Sequence, residues 1–388
     1  SLIYVLGALG VSFLWSIPMT RYSNRLFTDV SVMHEIFKQL HAVFAFLETY
    51  PYGNHTQLKK LCEPFFTASV GPSLLMRRLR RISRGAMLTQ NQLTRQSSPT
   101  GLSQGLPYIF NVIMPWDLTL SYLLSRCKAQ AKEHLPRWID AWYELEALCS
   151  LANFAYLNPD FAMPEIADRA GSPAFSARQL GHPLIPDEER IVNDVTIERV
   201  GDIMLITGSN MAGKSTFLRT LGINLCLTYA GSVVSAAVLT TGLYELNCCI
   251  SVSDSLADGY SYFYAEVRRL RLILDRLREK SQYPIFVLID EIFKGTNNRE
   301  RSIGSHAYIY ALAEATCIGA ISTHDLELVK LADELSQVKN YHFREEVVND
   351  EMLFDYRLYT GPCPTTNALK IMQKEGLPIT WAGASASA

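Results

Sequence analysis

The sequence predicts an α/β domain with a mostly parallel sheet, preceded by an all-α domain. From residue 185 onward, short apolar segments such as DIMLIT and YPIFVLID alternate with amphipathic segments such as EVRRLRLILDRLREK. Strands that alternate with helices are typical of a parallel sheet covered on both faces. Residues 21–165 show helical periodicity instead. A segment rich in Pro, Gly and Ser, NPDFAMPEIADRAGSPAF, separates the two patterns and predicts a domain boundary near residue 165.

Three predicted helices account for most of the region from residue 21 to residue 165. The first has a helical stripe of apolar residues and ends at Pro51. Two long amphipathic helices follow, DLTLSYLLSRCKAQAKEHL and PRWIDAWYELEALCSLANFAYL, and Pro136 suits the first turn of the second. The apolar stripe of the first helix consists of Val32, Ile36, Leu40, Val43, Phe44 and Leu47.

A further predicted helix, LLMRRLRRISR, is rich in arginine. Such a run is most often the solvated face of a helix, and it can also contact phosphate or anionic lipid. Both interpretations stay open for this segment. A polar, turn-rich loop from Gln90 to Gly105 follows it. The arginines are Arg77, Arg78, Arg80, Arg81 and Arg84.

The composition excludes several classes of protein. Hydrophobic residues make up 48% of the 388 residues and charged residues 19%, so most of the chain is expected to fold. The net charge of −2 gives no global attraction to nucleic acid, so a DNA-binding role requires a local basic surface. The eight cysteines contain no Cys-x-x-Cys pair, which argues against a zinc site or a disulfide framework. This cysteine usage suits a reducing compartment and predicts a cytoplasmic protein.

Residues 1–20 carry no charge and are mostly apolar. A run of this length can span a bilayer, although Pro18 shortens its helical part. The arginines Arg21 and Arg25 that follow would place the rest of the chain on the cytoplasmic side, tethered to the inner face of the membrane. A helix buried between domains is the alternative. At the other end, residues 381–388 are small and polar and predict a disordered tail.

A phosphate-binding loop follows the strand DIMLIT directly and precedes an apolar helix. This satisfies the G-x-x-x-x-G-K-[ST] pattern in its strand–loop–helix setting, and it predicts an α/β P-loop NTPase domain. Its backbone N–H groups and the helix N-terminus would hold the phosphates of ATP. Lys214 would reach the β- and γ-phosphates, and the Ser215 hydroxyl would bind Mg²⁺. The loop consists of Gly208, Ser209, Asn210, Met211, Ala212, Gly213, Lys214, Ser215 and Thr216.

Two later strands end in residues that suit ATP hydrolysis. The strand YPIFVLID ends in Asp290, which would hold Mg²⁺, and Glu291 follows it, placed to orient or deprotonate the attacking water. The next strand, CIGAIST, is followed by His324, which could contact the γ-phosphate or the lytic water. The pair of acidic residues therefore predicts an ATPase.

Several segments together resemble the MutS family of DNA mismatch-repair ATPases. TGSNMAGKST is similar to the phosphate loop of that family, and SVSDSLADGYSYFYAE (251–266) resembles its signature segment. DEIFKGTNN (290–298) resembles its Walker B strand and the loop after it, and STHDLEL (322–328) its histidine switch. RQLGHPLI (178–185) and ALKIMQKEGLP (368–378) resemble the two ends of its ATPase domain.

The resemblance implies an ATPase domain of the ABC/MutS type over residues 166–380, preceded by a core and lever-like helical domain over residues 21–165. It implies ATP and Mg²⁺ as cofactors, Glu291 as general base and His324 as sensor. Ser261 would reach the γ-phosphate bound to the other subunit of a homodimer. DNA with mismatches or branches, handled in repair or recombination, is the implied partner.

The chain also departs from the family pattern. Gly181 and Tyr260 stand where the family has arginine, and Glu300–Arg301 stand where it has Asp-Gly. No segment resembles the Phe-x-Glu motif that reads mismatches. A membrane-anchored relative with another conformational task is therefore kept as the alternative. A transporter-type ATPase is disfavoured because the Leu-Ser-Gly-Gly-Gln signature is absent.

Overall fold

The structure is a computed structural model in which the described residues form two compact units, one up to Ser150 and the other from Leu151 onward. Residues 1–20 and 381–388, predicted as an anchor and a tail, lie outside the described residues. In the described part, no helix has both the length and the apolar character needed to cross a membrane. The structure describes residues 34–67, 70–94, 116–167, 173–209, 211–250, 262–279, 281–315, 317–348 and 351–363.

The described part of the first unit is helical. Its core is aromatic: Phe44 lies 5.5 Å from Phe65 and 6.0 Å from Trp138, measured between ring centroids. The Trp138 indole is buried and donates its N–H to the Pro64 carbonyl (2.9 Å), so one polar group in this core is satisfied. The helices are α1 (His34–Thr49), α2 (Thr56–Leu61), α3 (Glu63–Thr67), α4 (Pro72–Thr94) and α5 (Trp116–Leu157), which ends in the second unit.

The apolar stripe predicted for α1 is wrong at Ile36, whose side chain is 48% exposed. Phe37 is buried in its place, together with Phe44 and Leu47. Both Ile36 and Phe37 fit a helical period, and packing against α4 selects the face that carries the larger ring. Tertiary contact thus decided between two residues that periodicity treats alike.

The prediction of two long helices divided at Pro136 is also wrong, because α5 continues through this proline. Proline inside a helix removes one backbone hydrogen bond and costs about 3 kcal/mol. Leu120 and Leu124 before the proline belong to the same core as Trp138 and Ala141 after it. Burial on both sides of Pro136 offsets this cost and keeps the segment helical.

The described part of the second unit contains three sheets, one of two strands, one of four and one of six. The largest is the six-stranded sheet. Its strand order is β12-β9-β4-β8-β7-β6. All neighbours are parallel except β12, which is antiparallel to β9. The predicted mostly parallel sheet is therefore confirmed. The strands of the unit are β1 (Glu165–Ile166), β2 (Phe175–Leu180), β3 (Asn193–Ile197), β4 (Ile203–Thr207), β5 (Val238–Thr241), β6 (Glu245–Cys249), β7 (Ile285–Asp290), β8 (Cys317–Ser322), β9 (Val338–His342), β10 (Glu345–Val348), β11 (Glu351–Phe354) and β12 (Tyr359–Thr360).

Alternate residues of the central strand β4 point to opposite faces of this sheet, and both faces are buried. Ile203 and Leu205 belong to one apolar cluster, whereas Met204 and Ile206 belong to another. Such two-sided burial explains why the strand is apolar throughout. The helices of this unit are α6 (Lys214–Tyr229), α7 (Tyr262–Arg278), α8 (Asn298–Glu314), a 3₁₀ helix (Leu326–Lys330) and α9 (Leu331–Glu334).

A smaller four-stranded sheet, with order β1-β5-β2-β3, was not predicted from the sequence. Strand β2 is antiparallel to both of its neighbours, whereas β1 is parallel to β5, so this sheet is mixed. Its strands are short and half-polar, and they follow no alternation with helices that would reveal them. The loop from β2 to β3 forms one wall of the site described next.

Candidate nucleotide site

The predicted phosphate loop connects the buried strand β4 to helix α6. Gly208 (φ +145°) and Gly213 (φ +103°) adopt backbone conformations that favour glycine. A side chain at Gly208 would also meet the Phe343 carbonyl oxygen, since a Cβ there would lie 2.6 Å from it. Met211 is 84% exposed, whereas Ala212 is buried beneath the loop. Asn210 lies outside the described residues.

Lys214, the first residue of α6, lies under this loop with only 5% of its surface exposed. Its ammonium group donates hydrogen bonds to the carbonyl oxygens of Gly208 (2.8 Å) and Ser209 (2.7 Å). Burial lowers the pKa of Lys214, and the carboxylates of Glu291 and Asp290 oppose this effect. The loop is thus folded around the cation that it would present to a phosphate.

Asp290 and Ser322 end the neighbouring strands β7 and β8 and face each other in register. The Ser322 hydroxyl donates a hydrogen bond to the Asp290 carboxylate. This hydrogen bond fixes one oxygen of the Asp290 carboxylate. Asp290 and Ser215 line the same cavity. These two side chains bring carboxylate and hydroxyl oxygens together, which are the donors that Mg²⁺ prefers.

Glu291 lies at the centre of a small ionic cluster. Its carboxylate lies 3.4 Å from the His324 imidazole and 3.0 Å from the Lys294 ammonium, and only 11% of the side chain is exposed. The contact with His324 is the largest cause that lowers the pKa of Glu291 to about 2, while burial opposes it. The backbone at Glu291 has φ +55°, a conformation that is strained for a side chain of this size.

One cavity of about 590 Å³ collects most of the predicted residues. A cavity of this size suits a ligand as large as a nucleotide. His324 contacts Glu291 beside it, and Ser209 bonds to Glu345. Ser261, predicted to act on a second subunit, lies outside the described residues. The predicted residues that line the cavity are Met211, Gly213, Lys214, Ser215, Thr216, Asp290 and Glu291.

The cavity also has apolar lining residues that the sequence analysis missed. Ile185, Pro186 and Ile191 come from the loop between β2 and β3, and Tyr356 follows the hairpin of β10 and β11. Asn193 fixes this aromatic residue, because its amide donates to the Tyr356 carbonyl (3.0 Å) and accepts from the Leu358 N–H (2.7 Å).

Two buried carboxylates at the site were also missed. Glu345, 7% exposed, accepts a hydrogen bond from the Ser209 hydroxyl of the phosphate loop. Glu266 on α7, 2% exposed, accepts from the Lys294 N–H (3.3 Å) in the loop after Glu291. Burial raises the pKa of Glu266, and the backbone N–H groups of residues 293–295 oppose this rise. Glu266 ends the quoted signature segment, whereas no local pattern marks Glu345.

Part of this chain is similar to known proteins. Residues 204–386 match the family model MutS domain V. The chain is 30% identical over 254 residues to the DNA mismatch repair protein MutS of Natronomonas pharaonis, an alignment that covers 64% of this chain and 29% of that protein. It is 33% identical over 244 residues to the DNA mismatch repair protein MutS from each of two strains of Thermus thermophilus, with 61% of this chain and 29% of the relative covered. The matched part is thus less than a third of the length of these relatives. The region from residue 204 to residue 386 therefore belongs to the MutS domain V family.

Proposed function

We propose that this chain binds and hydrolyses ATP with Mg²⁺ in the cavity between the phosphate loop and the end of β7. The observation that carries the proposal is the placement of Lys214, Asp290 and Glu291 on one cavity. Lys214 supplies a buried cation at the end of the loop that follows β4. Asp290 ends strand β7, which is separated from β4 by β8, and Glu291 comes directly after it. This combination suits phosphoryl transfer, in which positioning and electrostatics do most of the work.

The two ends of the cavity suit the two ends of a nucleotide. The loop and the first turn of α6 offer backbone N–H groups to phosphates. The wall of Ile185, Ile191 and Tyr356 offers an apolar slot for a flat base. Ser215 and Asp290 would hold Mg²⁺, and the bound ion would neutralise charge on the phosphates.

Glu291 is the proposed residue for the attacking water. A carboxylate with so low a pKa is a weak base, so its main role here is to orient the water. His324 holds the same carboxylate from the end of β8, which lets it respond when the γ-phosphate is lost. The role of His324 is the one that the resemblance implies, whereas orientation of the water takes the place of the general-base role that the resemblance implies for Glu291.

A variant of Glu291 tests hydrolysis. Glu291→Gln keeps the shape of the side chain, so ATP binding measured by calorimetry should persist while phosphate release falls by about a hundredfold or more. Lys214→Ala should weaken binding itself. The matched control is Glu314→Gln, at an exposed glutamate on α8. Normal turnover in Glu291→Gln would refute the proposal.

DNA is the proposed partner, by resemblance and because the similar proteins are named for DNA mismatch repair. A homodimer with Ser261 acting in trans belongs to the same proposal, and sedimentation of Glu291→Gln with and without ATP tests it. For the DNA part, matched, mismatched and branched duplexes are compared by fluorescence anisotropy. Tighter binding to mismatched or branched DNA is expected. Equal or absent binding would overturn DNA recognition and leave the ATPase intact.

The second candidate is a membrane-anchored ATPase with another conformational task. It is favoured by one observation, the 20-residue uncharged run at residues 1–20 of the sequence. Sedimentation of the full chain with membranes, after a high-salt wash, would support it. Recovery of the full chain entirely in the supernatant would exclude it.

A further inference from the structure

The arginines of α4 occupy one face of that helix. Leu75, Met76, Leu79 and Ile82 are buried in the helical core. At 100° per residue, the five arginines fall within an arc of about 160° on the other side. Four are exposed and Arg80 is half-buried. We call this set the arginine face; it consists of Arg77, Arg78, Arg80, Arg81 and Arg84.

The arginine face has no acidic neighbour along the chain. Residues 64–116 contain six arginines and no Asp, Glu or Lys. In the part of the chain that the structure describes, none of the five arginines forms an ion pair with a carboxylate. Arg77 bonds to the His41 imidazole (3.3 Å), and Glu35, the acid that Arg80 influences, is already paired with Lys38. Among the described residues, no carboxylate therefore pairs with the positive charge of this face.

The small net charge of the chain is the sum of opposite net charges on its two units. Residues 1–150 contain 15 Lys and Arg against 9 Asp and Glu, whereas residues 151–388 contain 21 against 29. The helical unit thus carries +6 and the α/β unit −8. A unit with a net positive charge and a cationic face without paired carboxylates in its described part attracts a polyanion.

We propose that the arginine face binds the phosphate backbone of duplex DNA. This inference deepens the proposed function and rests on its DNA part. Guanidinium groups match phosphate oxygens with two parallel hydrogen bonds, and α4 contains arginine and no lysine. Contacts of this kind fix the position of the protein on DNA without reading its sequence.

A lipid surface fits the face less well. Helices that lie on membranes insert large apolar side chains beside their basic residues. In α4 the described large apolar side chains are buried in the core of their own unit, except for Leu74 at 43% exposure. The face therefore offers charge with almost no apolar area to insert.

The test is a salt titration of duplex binding by the full-length chain. Each phosphate contact adds about 0.9 to the steepness with which log K falls with log salt concentration. Arg77→Glu with Arg81→Glu should therefore lower the steepness by about 2 and weaken binding at least tenfold at low salt. Arg77→Lys with Arg81→Lys keeps the charge and should retain the steepness.

The matched control is Lys59→Glu with Lys60→Glu, which makes the same change of charge at two exposed residues of the same unit. Circular dichroism checks the fold of each variant, and ATP hydrolysis without DNA should be unchanged in all of them. An equal loss in control and test variants would overturn the inference, as would wild-type steepness in the glutamate variant. A wild type that binds no duplex would overturn the DNA part of the proposed function as well. Preference for anionic phosphatidylserine vesicles over duplex at equal phosphate would assign the face to lipid instead.

Discussion

The side chain of Arg190 occupies the space that a side chain at Gly181 would need. A Cβ at position 181 would lie 2.4 Å from the Arg190 Cδ. The guanidinium donates to the Ile185 carbonyl (3.0 Å) and the Ser235 hydroxyl (3.1 Å), and it lies over the Phe161 ring. The glycine that departs from the family pattern thus makes room for an arginine that enters from position 190.

This pairing predicts that Gly181→Ala destabilises the protein by about 1–3 kcal/mol, because the new methyl group displaces a held side chain. In an Arg190→Ala background the same change should cost little. Urea denaturation of the wild type, the two single variants and the double variant measures the coupling free energy between the two positions. Additive costs would show that the two positions are independent.

Glu345 is expected to oppose nucleotide binding. Its buried carboxylate accepts a hydrogen bond from Ser209 and places a negative charge beside the phosphate loop. Glu345→Gln removes that charge and should lower the Kd for ATP about tenfold, as measured by calorimetry. Glu198→Gln, at an exposed residue of the same unit, is the matched control. Unchanged or weaker binding in Glu345→Gln would contradict the idea.

Glu266 is expected to support turnover rather than binding. Its carboxylate holds the backbone N–H groups of the loop that follows Glu291, and this loop carries Lys294. Glu266→Ala should lower kcat about tenfold or more with little change in the Kd for ATP, because Glu291, proposed to orient the attacking water, loses its support. Glu266→Gln keeps an acceptor oxygen and should recover part of the rate. A variant with normal kcat would assign Glu266 to stability alone.

The pair of Glu245 and Arg276 predicts a dependence of stability on pH. The Glu245 carboxylate accepts from Arg276 Nε (2.6 Å) and from its terminal NH₂ nitrogen (2.7 Å), and this contact lowers the pKa of Glu245 to about 2. A depressed carboxylate pKa stabilises the fold above the ordinary value near 4.5. That contribution is lost as the pH falls from 4.5 towards 2. Glu245→Gln should lose about 1 kcal/mol at pH 7 and show a shallower acid dependence in urea titrations. Parallel pH profiles of the two proteins would exclude the pair as a cause.

The parts of the site that were predicted are those fixed by neighbouring residues. A strand, a glycine loop and a helix start follow one another from Ile203 to Lys214, so one short pattern defines them. Asp290 and Glu291 were found because a buried strand ends there. The ends of parallel strands meet at one edge of a sheet, which brings them to Lys214.

The rest depends on contacts between distant segments. Glu345 reaches Ser209 across 136 residues of sequence, and its hairpin shows no motif. Tyr356 and Asn193 meet across 163 residues. In the helical unit, Ile36 and Pro136 were misjudged because local propensity was outweighed by packing against α4 and the aromatic core.

Because Lys214 is buried whereas the arginine face is mostly exposed, the two are expected to respond differently to ionic strength. The side chain of Lys214 is buried at the edge of the cavity, and its ammonium group donates to two backbone carbonyls. An arriving phosphate would replace those acceptors, so few counterions would be released there. Four of the five arginines of the arginine face are exposed, so added salt competes directly with a phosphate that binds them. Raising the salt concentration should therefore weaken the proposed DNA contact while leaving the proposed ATP binding in place, and purification in high salt should yield protein still able to bind ATP.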